Sequence, residues 1–97
     1  MLKGKQRSYL RSIGNKIESI IQIGKNGVDD AVLNQINDAL KARELIKVTV
    51  LKNSLLDPYE TCGYICGKLN AEPVQVIGNR FIIYKRNDQN PSITIPK

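Results

Sequence analysis

Residues 18–28 read Glu-Ser-Ile-Ile-Gln-Ile-Gly-Lys-Asn-Gly-Val and divide into two kinds of chain. The first six positions are rich in β-branched residues, which suit a strand. The two glycines at 24 and 27 then close a short loop. After it, Val28, Val32, Ile36, Ala39 and Leu40 recur at helical spacing, so a helix is expected from Asp29 or Asp30 to about Arg43. Acids at its start and Lys41 and Arg43 at its end suit the helix dipole. Residues 45–51, Leu-Ile-Lys-Val-Thr-Val-Leu, return to strand character.

The same periodicities extend outward. Residues 3–13 read as a helix in which Lys3, Arg7 and Arg11 share one stripe, while Leu10, Ile13 and Ile17 can face a core. Gly14-Asn15 is the expected stop. Beyond the second strand lies a loop over 52–56. Asp57-Pro58-Tyr59-Glu60 is then a helix start, with Asp57 as cap and Pro58 at the first helical position. Short strands are expected at 74–77 and 81–85, turning through Gly78-Asn79-Arg80. The order is α-β-α-β-α-β-β, an α+β two-layer sandwich with a small mixed four-stranded sheet on one side and helices on the other. Residues 1–86 form one domain, and residues 87–97, with Pro91 and Pro96, are expected to be a loosely ordered tail.

Composition narrows the function. The chain has 97 residues, 41% hydrophobic and 25% charged, which is a globular rather than a disordered balance. No apolar run is long enough to span a membrane and no secretory signal opens the chain, so no membrane partner and a cytoplasmic location are expected. There is no histidine, and the two cysteines, Cys62 and Cys66, do not supply a metal site, so neither metal nor cofactor is expected. No nucleophile–base set or carboxylate pair is evident, which argues against an enzyme and against a small-molecule substrate. The net charge is +6, and it is uneven. Lys3, Lys5, Arg7, Arg11 and Lys16 fall in the first 16 residues without an acid, leaving ten basic against nine acidic groups in the rest. A concentrated basic surface attracts polyanions, nucleic acid above all. The same stripe also describes a solvated helix face.

Four features could carry function. Gly24-Lys25-Asn26-Gly27 ends at a helix start, where backbone N–H groups favour anions and glycines let a ligand approach. Such a loop can grip a sugar-phosphate backbone, and the pattern equally describes a plain strand-to-helix turn. The basic stripe of the first helix is the second feature. Arg80, Lys85 and Arg86 form a third, with Tyr84 and Phe81 nearby either to stack a base or to join the core. Cys62 and Cys66 share an apolar helix face with Ile65 and Leu69, which reads as core packing more readily than as a redox pair.

Taken in order, Leu2-Lys3-Gly4-Lys5-Gln6-Arg7, Ile23-Gly24-Lys25-Asn26-Gly27-Val28, Glu44-Leu45-Ile46-Lys47-Val48, Val76-Ile77-Gly78 and Ile82-Ile83-Tyr84-Lys85-Arg86 resemble the CRM-domain family of RNA-binding proteins, in its stand-alone bacterial YhbY-like form. The resemblance implies a fold like the C-terminal domain of a bacterial translation initiation factor. It also implies binding to structured RNA, namely large-subunit ribosomal RNA or its precursor particle, and a part in assembling that subunit. The family's RNA-contacting loop falls on Gly24, Lys25, Asn26 and Gly27. One departure stands at Lys85, where an arginine is expected after the tyrosine; lysine keeps the charge and loses the planar fork. The competing function is a protein-interaction module that docks on ribosomal or other proteins without touching RNA.

Overall fold

The structure is a computed structural model that describes residues 2–87 together with Gln89 and Ile93. Among these residues the chain forms α1 (Gly4–Gly14), β1 (Ser19–Ile23), α2 (Asp30–Arg43), β2 (Leu45–Val50), a single 3-10 turn (Lys52–Ser54), α3 (Pro58–Leu69), β3 (Glu72–Ile77) and β4 (Arg80–Tyr84). The expected element order is present. Both helix starts use the residues the sequence offers. The Asp29 carboxylate accepts the Val32 N–H at 2.9 Å, and that of Asp57 accepts the Glu60 N–H at 3.1 Å. β3 begins two residues earlier than expected because Pro73 does not stop it. β3 lies at the sheet edge, where a missing N–H is tolerated, and the register shifts between Pro73 and Gln75.

The sheet is mixed, with strand order β1-β2-β4-β3. β1 runs parallel to β2, while β4 is antiparallel to both β2 and β3. The expected two-layer arrangement needs correction to three layers. Phe81 and Ile83 of β4 enter a core with Ile36 and Leu40 of α2 and with Cys62 and Ile65 of α3. Ile82 and Tyr84 point the other way, into a second core with Leu10 of α1, Leu45 and Val74. β4 is buried at four successive positions, and a strand buried on both faces needs a cover on each. Helix α1 supplies the second cover. It sits close at its C-terminal end, where a Cβ on Gly14 would lie 2.7 Å from Ile82 Cδ1.

Cys62 and Cys66 are buried in the larger core, as core packing predicts. Their thiols are hydrogen-bonded to each other. That bond, with burial acting in the same direction, holds the Cys66 thiol well above the ordinary range. The same bond favours the Cys62 thiolate, and burial opposes it. Both side chains are buried, which limits the access of a partner thiol or oxidant to either of them.

One acid, named in the sequence only as the entry to the second strand, has a structural part of its own. Glu44, between α2 and β2, is fully buried and adopts φ 63°. Its N–H caps α2 at Leu40 O, and its carbonyl accepts the Lys85 N–H at 2.9 Å. Its side-chain oxygens accept the N–H groups of Asn87 at 2.7 Å and Ile93 at 2.8 Å. A single residue thus ties α2, β2, the end of β4 and the chain after it. Most of the tail expected at 87–97 lies outside the described residues.

Two substitutions test this packing. Gly14→Ala drives a methyl into Ile82 and should cost about 1–3 kcal/mol in urea unfolding. Glu44→Gln replaces one acceptor oxygen by a donor that faces an N–H, and should lower stability by about 2–3 kcal/mol in the same measurement.

Candidate nucleic-acid interface

Parallel strands end at the same edge of a sheet, and here that places three connections side by side. The Leu51 N–H donates to Ile23 O at 2.9 Å, joining the chain beyond β2 to the end of β1. The Val50 N–H donates to Asn79 O at 2.7 Å, bringing in the β3–β4 turn. The glycine loop, the segment 51–56 and the turn at Gly78-Asn79 therefore share one edge. In open sheets, ligands favour the carboxyl ends of parallel strands.

The two glycines of the loop play different parts. The Gly27 N–H closes the loop on Gly24 O at 2.9 Å, and Gly27 takes φ 70°, a conformation that disfavours a side chain. Gly24 has ordinary backbone geometry, and a Cβ there would meet Leu51 Cδ1 at 3.7 Å, a normal contact. Lys25 and Asn26 are exposed at the tip. At the helix N-terminus behind them, the Asp29 carboxylate already fills the cap position and places a negative charge there. The Lys25 ammonium and the Asn26 amide are the polar groups that the loop presents to solvent.

The structure divides the remaining expected residues. Arg80 is exposed at the start of β4, paired with Thr49 near the glycine-loop edge. Lys85 and Arg86 follow the other end of β4 and share a cleft with Leu2 and Gln6 at the start of α1. Lys3 and Lys5, both exposed, belong to that same end. The five residues of β4 separate the two basic groups by roughly 15 Å. Arg7 and Arg11 are half-buried along α1. Lys16 is exposed just before Ile17, which shares a cleft with Lys47 and Arg80. Phe81 and Tyr84 are buried, so neither is available to stack a base.

Two lysines escaped the sequence reading. Lys52 is exposed in the 3-10 turn beside the glycine loop, and Lys47 lies next to Arg80 on the α1 side of the sheet. Lys47 interrupts an otherwise apolar strand, which was a usable signal. The position of Lys52 becomes informative only once the parallel pairing is known. Among the described residues, no group of three potential metal ligands comes together, and no helix is long and apolar enough to cross a membrane.

The profile of the CRS1/YhbY (CRM) domain matches residues 2–85. The chain belongs to the CRM-domain family. It is 42% identical over 96 residues to the Bacillus subtilis protein named "Probable RNA-binding protein YqeI", covering 99% of this chain and 100% of that one. It is 28% identical to a Haemophilus influenzae protein named "RNA-binding protein", covering 99% and 96% of the two chains. The solution structure of the Staphylococcus aureus hypothetical protein SAV1595, described as a candidate RNA-binding protein, superposes with a TM-score of 0.82 at 44% identity, over 99% of this chain and 100% of that one. The CRM match takes in the glycine loop, Lys3, Lys5 and Lys85 at the other end of the sheet, and every described strand and helix.

The contrast between the two glycines is open to measurement. Gly27→Ala should cost about 1 kcal/mol and perturb the amide signals of the loop, because alanine resists the positive φ. Gly24→Ala should leave stability within about 0.5 kcal/mol of wild type.

Proposed function

We propose that this CRM-domain protein binds structured RNA through its phosphate backbone and does no chemistry on it. The observation that carries the reading is that Lys25, Asn26 and Lys52, all exposed, lie on the two connections that leave the same edge where β1 and β2 end, in a chain whose relatives are named RNA-binding proteins. Cations supply affinity by displacing counterions from phosphates, so binding should weaken steeply with salt. The second basic group, Lys3, Lys5, Lys85 and Arg86, lies roughly 15 Å away along the sheet, a spacing that lets one RNA helix touch both. The target we infer is large-subunit ribosomal RNA or its precursor particle in the cytoplasm, where the protein would hold an RNA segment during subunit assembly. The family resemblance supports that finer reading.

Binding to a labelled large-subunit ribosomal RNA fragment over a salt series tests the proposal. Lys25→Asp combined with Asn26→Asp should keep the fold, because both side chains are exposed. The pair should weaken binding at least about tenfold and reduce the salt slope by about one unit. Equal binding by both proteins would remove the loop from the interface. Failure of the wild-type protein to bind RNA at all would favour the protein-docking alternative.

A further inference from the structure

Beside the glycine loop lies a groove that phosphate recognition does not use. It has a volume of about 310 Å³ and is lined by Val28, Leu56, Asp57, Glu60, Thr61 and Tyr64. The two features adjoin: a Cβ on Gly27 would lie 4.0 Å from Leu56 Cδ1, and Val28 follows the loop directly.

We propose that this groove receives one unpaired nucleobase of the bound RNA, and that Glu60 selects guanine. The inference rests on the RNA-binding reading and adds a base-specific contact to it. Val28, Leu56 and the half-exposed Tyr64 ring form apolar walls of the kind on which a base can stack. The Lys68 ammonium, 5.7 Å from the Tyr64 ring centroid, helps to orient that ring.

The turn that supplies Leu56 is held open. The Ser54 hydroxyl donates to Leu51 O at 2.7 Å and accepts the Leu56 N–H at 3.2 Å. Leu55, between them, takes φ 60° and is 93% exposed. Leucine in a left-handed conformation costs about 1 kcal/mol, and burial of its own side chain does not offset that cost. Core packing therefore does not account for the apolar Leu55 side chain beside the groove.

Charge decides what kind of group fits. The carboxylates of Asp57 and Glu60 repel a phosphate but accept hydrogen bonds from a neutral base. Asp57 is already engaged as the cap of α3. Among the described residues, no hydrogen bond engages the Glu60 carboxylate. Guanine offers two adjacent donors, N1–H and the N2 amino group, matching the two oxygens of a carboxylate. Adenine and cytosine each offer one amino group beside an acceptor nitrogen. Uracil presents N3–H between two carbonyls, which a carboxylate meets with repulsion on both sides. The phosphate attached to the base would then lie toward Lys25 and Lys52, on the adjoining loops.

The test is an amide-shift titration of the whole protein with each of the four ribonucleoside 5′-monophosphates. GMP should shift Val28, Glu60, Thr61 and Tyr64 together with Lys25 and Gly27, and should bind about tenfold more tightly than UMP. Glu60→Gln, at an exposed site, should bring all four nucleotides to similar affinity, because one oxygen becomes a donor and a repelling charge is lost. Tyr64→Ala should weaken the ribosomal RNA fragment at least about fivefold without changing its salt slope. The base slot is overturned if nucleotide shifts stay within residues 24–27 without base preference, or if Tyr64→Ala binds RNA as wild type does. Either result leaves the phosphate-binding loop standing and gives the groove to a protein partner. Loss of the RNA-binding reading shows differently, as wild-type protein that binds no RNA.

Discussion

The parallel pairing of β1 with β2 is the constraint on which the candidate site depends. Ser19 to Ile23 align with Lys47 to Val50, and the Leu51 N–H extends that register by one bond to Ile23 O. Because the strands run the same way, the chain leaves both at one edge. It turns through Gly24–Gly27 after β1 and through residues 51–56 after β2, and each turn feeds a helix capped by aspartate. An antiparallel pair would send one of these turns to the far edge. Lys25 and Lys52 would then face away from each other, and the groove between Val28 and Leu56 would not exist.

The pairing holds because β1 is packed on one face and β2 and β4 on both. Ile21, Ile23, Ile46, Val48 and Val50 close on α2 and α3, while Leu45, Ile82 and Tyr84 close on α1. A one-residue slip of β1 would turn Ile21 and Ile23 from the core to the exposed face, so their burial fixes the register. Glu44 locks the other edge of the sheet. Its buried carboxylate satisfies two backbone N–H groups that would otherwise compete for water, which joins the chain after β4 to the α2–β2 junction. One edge is thereby tied by hydrogen bonds, and the other presents exposed lysines, an asparagine and apolar side chains.

Much of this was legible in the sequence. Asp29 and Asp57 mark the starts of α2 and α3, the apolar stripe from Val28 to Leu40 marks the buried face of α2, and the glycine pair marks a turn that proves to need positive φ at Gly27. The unbroken Phe81-Ile82-Ile83-Tyr84 held the evidence for a third layer, since alternation fails when both faces of a strand are covered. Strand order was not legible, because a parallel pairing joins residues separated by a whole helix and leaves no local mark. Glu44 was not legible either. A glutamate reads as surface until the N–H groups of Asn87 and Ile93, more than forty positions away, are seen to meet it. The grouping of the basic residues followed the same limit. The sequence leaves open whether Lys3 and Lys25 share a surface, and the sheet sets them at opposite ends.

We propose the edge formed by the ends of β1 and β2 as the one that meets RNA. Amide-shift mapping of the whole protein with a large-subunit ribosomal RNA hairpin tests it most directly. The largest changes are expected at residues 24–28, 51–56 and 79–80, with smaller changes at Lys3, Lys5, Lys85 and Arg86. Changes confined to the start of α1 and the end of β4, with the glycine loop silent, would contradict it.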